Sequence, residues 1–304
     1  MCADKAGSEA GFLARLQRLA RHPAARGFAD DCAVLAFGGE TLVVTHDMMA
    51  EGVHWLPGQD EADIAWKLVA TNLSDLAAKG AEPVGVLLGY ALGSADTRFL
   101  EGLEAALVAF ATPLLGGDTI AALGPRCLGL TALGRATHRP VPARSGARAG
   151  DGLWLTGALG AAMLGYEALR DGRGTPDETL AFRRPRPLIA EGRLLAPHVT
   201  AMMDVSDGLL LDATRLARAS GVTIAIDSAA VPLAPLAPCA AALRWGDDYQ
   251  LLFTLPAGRQ PPVAAFAIGR VLPQGEAPLL LDGVAPAAGE RLGYEHGASA
   301  PDPC

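Results

Sequence analysis

Short apolar segments of strand type alternate with longer segments of helical periodicity along most of this 304-residue sequence. Residues 41–45 and 83–92 are rich in Val and Leu and predict strands, whereas residues 62–78 repeat apolar side chains at helical spacing. The same alternation resumes after residue 150. Strands and helices that alternate in both halves are typical of α/β or α+β proteins, so we expect an α/β fold of the α+β two-domain kind.

A segment rich in Arg and Pro, residues 135–150, interrupts the alternation and has the composition of a loop. A chain of 304 residues is long enough for two domains. We therefore predict an N-terminal domain at residues 1–138 and a C-terminal α/β domain at residues 139–304.

Charge and cysteine content exclude several classes of protein. A net charge of −8 opposes broad nucleic-acid binding, which requires a basic face. The five cysteines are scattered and form no CxxC pair, which fits a reducing compartment better than a disulfide framework. The apolar runs are shorter than the ~20 residues that span a bilayer, and residues 1–11 do not read as a secretory signal. We expect a cytoplasmic protein that binds neither nucleic acid nor membrane.

Aspartates recur at the ends of apolar segments and in short glycine turns, whereas the phosphate loop GxxxxGK[ST], the protein-kinase motifs and the GxSxG elbow are absent from the sequence. Each aspartate motif alone also fits a turn or a helix cap, and Asp75 could form a surface ion pair with Lys79. The six motifs contain Asp30 with Asp31, Thr45 with Asp47, Asn72 with Asp75, Gly117 with Asp118, Asp204 with Ser206 and Asp207, and Asp247 with Asp248.

The segment from Met202 to Leu210 is the most informative of these motifs. Ser206 or Asp207 could cap the helix that follows. Capping does not account for Asp204, which ends a strand of buried type, where an unpaired charge costs several kcal/mol. A cation removes that cost, and Mg²⁺ prefers carboxylate and phosphate oxygens. Since phosphoryl transfer depends mainly on charge neutralisation and positioning, clustered aspartates that hold several Mg²⁺ ions could support it.

Six segments, taken in order, carry a resemblance that runs from about Asp30 to Tyr294. They are residues 51–55 (EGVHW), residues 66–78 (WK followed by NLSDLAA), residues 116–118 (GGD), residues 144–151 (RSGARAGD), residues 204–209 (DVSDGL) and residues 248–253 (DYQLLF). Together they resemble the thiamine-monophosphate kinase family, which shares a superfamily of ATP-dependent enzymes with aminoimidazole ribonucleotide synthetase and selenophosphate synthetase.

The resemblance implies phosphorylation of thiamine monophosphate to thiamine diphosphate, with direct transfer of the γ-phosphoryl group of ATP and several Mg²⁺ ions. It also implies a homodimer in which the N-terminal domains contribute to a shared sheet, and a C-terminal α/β sandwich. The metal ligands would be Asp31, Asp47, Asp75, Asp118, Asp204 and Asp207, with Thr45 assisting. ATP would contact Gly117, Asp118, Arg144 and Ser206, and the catalytic set would be Asp118, Arg144 and Asp207. The vitamin would contact His54, Asp247 and Tyr294.

The chain departs from the family pattern at four positions. Ala29 replaces a glycine, His46 replaces a small hydroxyl residue, and Trp245 and Asp247 replace Gly and Glu in a Gly-Gly-Glu-Asp pattern. Three alternatives stay open: a related enzyme that phosphorylates another acceptor, a nucleotide- or metal-binding protein without turnover, and an interaction protein with solvated acidic turns. Without the resemblance, His54, Arg144 and Tyr294 would be read as an ordinary core or exposed histidine, a solvated loop charge and a surface aromatic.

Overall fold

The computed structural model describes residues 9–296, which form two β-sheets with helices packed against them. The predicted α/β class is confirmed. Helix α1 (Glu9–Leu19) and a 3-10 turn (Pro23–Phe28) precede the first sheet. No helix in residues 9–296 combines the length and the apolar character needed to cross a bilayer. Cys2 and Cys304 lie outside the described residues.

The first sheet is mixed, with strand order β1-β2-β5-β3-β4. Only β3 and β4 pair in parallel, and the other neighbours are antiparallel. Helix α2 (Glu61–Ala78) packs on one face of this sheet, with α3 (Asp96–Ala109) beside it. The strands are β1 (Ala33–Phe37), β2 (Glu40–Ala50), β3 (Ala81–Ala91), β4 (Leu114–Ile120) and β5 (Cys127–Ala136).

The second sheet has strand order β11-β8-β10-β6-β9-β7, and only β11 and β8 pair in parallel. Its strands are β6 (Gly152–Leu155), β7 (Ala201–Asp204), β8 (Thr223–Ile226), β9 (Leu251–Leu255), β10 (Phe266–Leu272) and β11 (Leu279–Leu281). The accompanying helices are α4 (Ala161–Arg170), α5 (Leu180–Arg183), α6 (Ile189–Leu195), α7 (Leu209–Ser220) and α8 (Cys239–Ala242). The boundary predicted after residue 138 falls between β5 and β6, and it stays a prediction.

Helix α2 is buried on nearly every side, because both halves of the chain pack against it. The Asp60 carboxylate caps its first turn by accepting the Ala62 N–H. Its apolar side, including Leu68 and Leu73, belongs to the core of the first sheet. Its small residues near the C-terminal end share a core with Met202 of β7 and with Phe253 of β9. The helix therefore joins the two halves of the molecule, and polar groups on it must find partners inside the protein.

A close backbone approach fixes α6 against α2. A Cβ atom added to Gly192 would lie 1.9 Å from the carbonyl oxygen of Ala77, a separation that only glycine tolerates. This contact brings the segment that precedes β7 directly against the helix that carries Asp75.

The glycine motif of residues 116–118 lies inside edge strand β4 and not in the turn that the sequence suggested. Parallel pairing with β3 extends this segment, with Asp118 opposite Gly89. Gly117 is required by this pairing, because a Cβ atom there would lie 2.1 Å from the Leu88 carbonyl oxygen. The two glycines thus reflect close strand packing at this edge of the sheet.

Candidate active site

Three carboxylates from separate parts of the chain meet between the two sheets. Asp31 precedes β1, Asp75 lies in α2, and Asp204 ends β7. One oxygen from each of these side chains lies within 4.8 Å of the others. Like charges at such distances repel one another strongly inside a protein, so this cluster needs positive charge or protons.

Neutral donors hold two of these carboxylates without cancelling their charge. The Thr45 hydroxyl donates to Asp75, and the Ser74 hydroxyl donates to Asp204 over 2.5 Å. Burial, followed by the Asp31 carboxylate, raises the pKa of Asp204 to about 7. Burial and the carboxylates of Asp47 and Asp204 raise the pKa of Asp75 well above its ordinary value. Both side chains therefore hold a proton more strongly than an ordinary carboxyl group does, and a divalent cation bound here would displace that proton.

Asp47 belongs to the same electrostatic cluster. Its backbone N–H donates to the Asn72 side-chain oxygen over 2.9 Å, which ties β2 to α2. Burial and the Asp31 carboxylate raise the pKa of Asp47 to about 6. The carboxylate oxygens of Asp47, Asp75 and Asp204, which are buried and incompletely neutralised, fit Mg²⁺.

Asp31 has the opposite environment. Lys79 approaches one of its oxygens at 2.5 Å, and the Arg144 guanidinium binds the other with its Nε at 2.7 Å. Burial favours the protonated acid, but Arg144 and Lys79 outweigh it and lower the pKa of Asp31 to about 2. The buried Lys79 ammonium also binds Asp30 at 2.5 Å. The alternative of a surface pair between Asp75 and Lys79 is therefore wrong, because the C-terminal half covers this end of α2.

The turn after β7 is held by a residue that the sequence analysis missed. The buried Asp212 carboxylate accepts the N–H groups of Ser206 and Asp207, at 3.1 and 3.0 Å. Arg215 binds both Asp212, at 2.8 Å, and Asp207. The N-cap of α7 is Gly208, so neither Ser206 nor Asp207 caps this helix with its side chain. An acidic residue directly after three leucines in the first turn of α7 was the available sequence signal for Asp212.

The three residues predicted to contact the vitamin are brought together indirectly. The His296 ring lies 5.7 Å from the His54 ring and 4.9 Å from the Tyr294 ring, measured between centroids. Lys67 donates to the His54 carbonyl oxygen over 2.9 Å and to the Asp247 carboxylate over 2.8 Å. Burial lowers the pKa of His54. Lys67 is a further residue that the sequence analysis left without a role.

Gly117 and Asp118 are set apart from these contacts. They lie in exposed edge strand β4, and Asp118 is not one of the three carboxylates that cluster within the described residues. Their assignment to metal and ATP stays a prediction. The Tyr294 N–H, in contrast, donates to the Asp207 carbonyl oxygen over 2.9 Å, which connects the C-terminal segment to the acidic turn.

The departures from the family pattern have simple structural consequences. Ala29 has φ −121°, which suits any residue, so the loop does not require glycine there. His46 is exposed and bonds Thr131 on the sheet face opposite Thr45, because successive side chains of β2 alternate. Trp245 packs against Tyr166 with ring centroids 5.2 Å apart.

Comparison with known proteins places these features in a family context. Models of the AIR synthase related protein N-terminal and C-terminal domains match residues 29–136 and 148–260. The thiamine-monophosphate kinase of Salmonella typhimurium is 35% identical over 254 residues, which cover 76% of each chain. That of Caulobacter vibrioides is 39% identical over 238 residues, which cover 75% of this chain and 68% of the relative. The solved structure "AaThiL complexed with AMPPCP and TMP" is 28% identical with a TM-score of 0.84, over 95% of this chain and 97% of that one.

The raised pKa values predict how stability responds to pH and to Mg²⁺. Asp47 and Asp204 bind protons more tightly in the folded protein than in the unfolded chain. Their contribution to the free energy of unfolding is therefore complete below about pH 4 and is lost as the pH rises through 6 to 7. Bound Mg²⁺ would offset the repulsion between the carboxylates only when they are ionised. We expect 5 mM Mg²⁺, a concentration of roughly physiological order, to raise Tm by about 5 °C more at pH 8 than at pH 5.5.

Differential scanning calorimetry with and without Mg²⁺, at constant ionic strength, measures this difference. Asp212 and Asp248 also have pKa values raised to about 7, mainly by burial, so comparing the two metal conditions separates them from the cluster. The variant Asp204→Asn should lose most of the pH dependence of the Mg²⁺ effect. Equal Mg²⁺ shifts at both pH values in the wild type would contradict the assignment.

Proposed function

The chain belongs to the thiamine-monophosphate kinase family of AIR synthase related proteins, and we propose that it transfers the γ-phosphoryl group of ATP directly to thiamine monophosphate. The product is thiamine diphosphate. The observation that carries the proposal is the cluster of Asp31, Asp75 and Asp204, which contains one residue of α2. The same helix carries Lys67, which binds His54 and Asp247, the predicted vitamin contacts. A solved neighbour with both AMPPCP and TMP supports the same pair of substrates.

The carboxylates are proposed to hold several Mg²⁺ ions, which when bound neutralise charge on the phosphates. Asp31, Asp47, Asp75, Asp204 and Asp207 are the proposed ligands from the central site. Thr45 assists by orienting Asp75 through its hydroxyl hydrogen bond. Asp118 is proposed as a further ligand and catalytic residue from β4.

Arg144 and Ser206 are the proposed ATP contacts of the C-terminal half. The Arg144 guanidinium is anchored on Asp31 by charge-assisted hydrogen bonds, which fix the position of its positive charge beside the cluster. The backbone N–H groups of Ser206 and Asp207 already donate to Asp212. The turn therefore offers phosphate the Ser206 hydroxyl and not these two amides. Gly117, with no side chain, lets the β4 backbone approach the nucleotide.

Catalysis in this proposal is a matter of positioning and charge. Phosphoryl transfer requires the acceptor oxygen and the leaving oxygen in line, with charge on the transferred group neutralised. Arg144 supplies fixed positive charge, and the Asp207 turn is held rigid by Asp212 and Arg215. The vitamin is bound by His54, Asp247 and Tyr294, and the aromatic ring of Tyr294 suits a heteroaromatic cation.

A homodimer in the cytoplasm completes the proposal. The face of the first sheet opposite α2 exposes apolar side chains, with Met48 58% and Leu87 40% exposed in the described chain. An apolar sheet face of this kind is costly to leave in water and suits a second copy. His46 lies on the same face, so a dimer would bury it.

The activity is tested by ADP release with Mg-ATP and thiamine monophosphate, with product identification by chromatography. Asp207→Asn should lower kcat at least ~100-fold, because it removes the charge of a proposed Mg²⁺ ligand, and the bound ion is what neutralises the transferred phosphoryl group. Asp171→Asn, which changes an exposed loop aspartate paired with Arg170 and Arg173, is the matched control and should leave turnover unchanged. Thiamine and no acceptor serve as substrate controls.

Each outcome of this assay is informative. Turnover that requires thiamine monophosphate and falls in Asp207→Asn supports the kinase. Turnover that requires a different acceptor identifies a related enzyme of the same superfamily, and the pocket around Trp245 and Asp247 is then where its specificity differs. ATP binding without acceptor-dependent turnover contradicts the proposal.

The dimer is tested by light scattering coupled to size-exclusion chromatography. Met48→Asp should give monomers at ~10 μM protein, because an unpaired charge would have to be buried in the interface. Val108→Asp, at an exposed position of α3, is the control and should remain dimeric. A wild-type protein that is monomeric at this concentration would refute the proposed homodimer.

A further inference from the structure

Lys67 is a fully buried lysine with partners from three distant segments of the chain. Its ammonium group donates to the His54 carbonyl oxygen and to the Asp247 carboxylate. It also lies 3.8 Å from the centroid of the Phe182 ring. A buried ammonium is costly unless all of its donors are matched, so its position is tightly specified by these groups.

Asp247 is held at both carboxylate oxygens. Lys67 binds Oδ2, and the Tyr249 hydroxyl donates to Oδ1 over 2.9 Å. The Asp247 backbone has φ +64°, a left-handed conformation, and its N–H donates to the Ser206 carbonyl oxygen over 2.9 Å. The Asp247 side chain remains 21% exposed. The carboxylate is therefore aimed from a rigid turn that is also bonded to the acidic motif of β7.

Helix α2 links this carboxylate to the metal cluster at a fixed distance. Ser74 follows Lys67 by seven positions, which places both side chains on one face of the helix, about 10 Å apart along its axis. Ser74 binds Asp204 and Lys67 binds Asp247. One rigid helix thus sets the separation between the cluster and the predicted vitamin contacts.

We propose that Lys67 is a positioning residue for the phosphate acceptor, which acts through Asp247 and the His54 backbone and makes no contact with the substrate. This inference rests on the proposed function, because it concerns how the same site holds thiamine monophosphate. If the ion pair were purely structural, its loss would change the KM values for both substrates equally. A positioning role confines the change to the KM for thiamine monophosphate, since the residues that Lys67 holds belong to the proposed pocket for that substrate.

A double-mutant cycle tests this proposal, with steady-state kinetics of wild type, Lys67→Met, Asp247→Asn and the double variant. Lys67→Met should raise KM for thiamine monophosphate ~10-fold and change KM for Mg-ATP less than ~2-fold. In the Asp247→Asn background the same substitution should raise the acceptor KM less than ~3-fold, because the group through which it acts is already altered. Arg98→Met, which changes an exposed cation of α3, is the control for loss of charge.

Two further variants keep the test decisive if Lys67→Met does not fold. Tyr249→Phe removes only the second hydrogen bond to Asp247 and should raise the acceptor KM ~3-fold. Lys67→Arg keeps the charge and should rescue part of the loss. Thermal stabilisation of each variant by thiamine monophosphate alone gives a binding readout that does not depend on turnover.

The possible outcomes separate the two proposals. If the wild type uses thiamine monophosphate and the acceptor KM is unchanged in Lys67→Met, the positioning role is refuted and the kinase assignment survives. Equal increases in both KM values, or equal effects of Lys67→Met in both backgrounds, also refute it. A wild type that does not use thiamine monophosphate overturns the proposed function and this inference together.

Discussion

Burial of charge along helix α2 is the constraint on which the rest of the structure depends. The helix places Lys67 and Asp75, and the Lys79 that follows its last turn, in an interior that both halves of the chain cover. An unpaired buried charge costs several kcal/mol, so both halves must supply partners at fixed positions. The N-terminal loop supplies Asp31 and the C-terminal half supplies Asp247, which makes assembly of the fold and assembly of the site one event.

The charges around the site are divided unequally, and this division defines its chemistry. Lys79 and Arg144 neutralise Asp31 and lower its pKa, whereas Asp75 and Asp204 receive only hydroxyl groups and keep raised pKa values. The protein itself neutralises the charge of Asp31, whereas the charges of Asp75 and Asp204 can be neutralised by protons or by bound cations. We propose that cations bound at Asp75 and Asp204 supply positive charge to the phosphates of ATP, without the glycine-rich loop of other kinases.

Much of this could be predicted from sequence because the signals are local. Sequence patterns identified α2, β2 and β3, and the aspartate motifs contain the three residues that cluster, Asp31, Asp75 and Asp204. The partners of Lys67, Lys79 and Asp212 could not be found this way, because they depend on which segments pack against α2 and α7. Strand β4 was missed because pairing with β3 overrides the turn preference of its glycines. That Ala29 can replace glycine likewise depends on the loop conformation, in which its φ is −121°.

We propose that the buried carboxylates form a divalent cation site. Anomalous diffraction from crystals grown with Mn²⁺, a substitute for Mg²⁺ with the same preference for oxygen ligands, tests it most directly. We expect an anomalous peak between the carboxylates of Asp31, Asp75 and Asp204, and we expect it to be absent in crystals of Asp204→Asn. Mn²⁺ bound only at other positions, or no peak at this cluster when the ATP analogue is present, would contradict it.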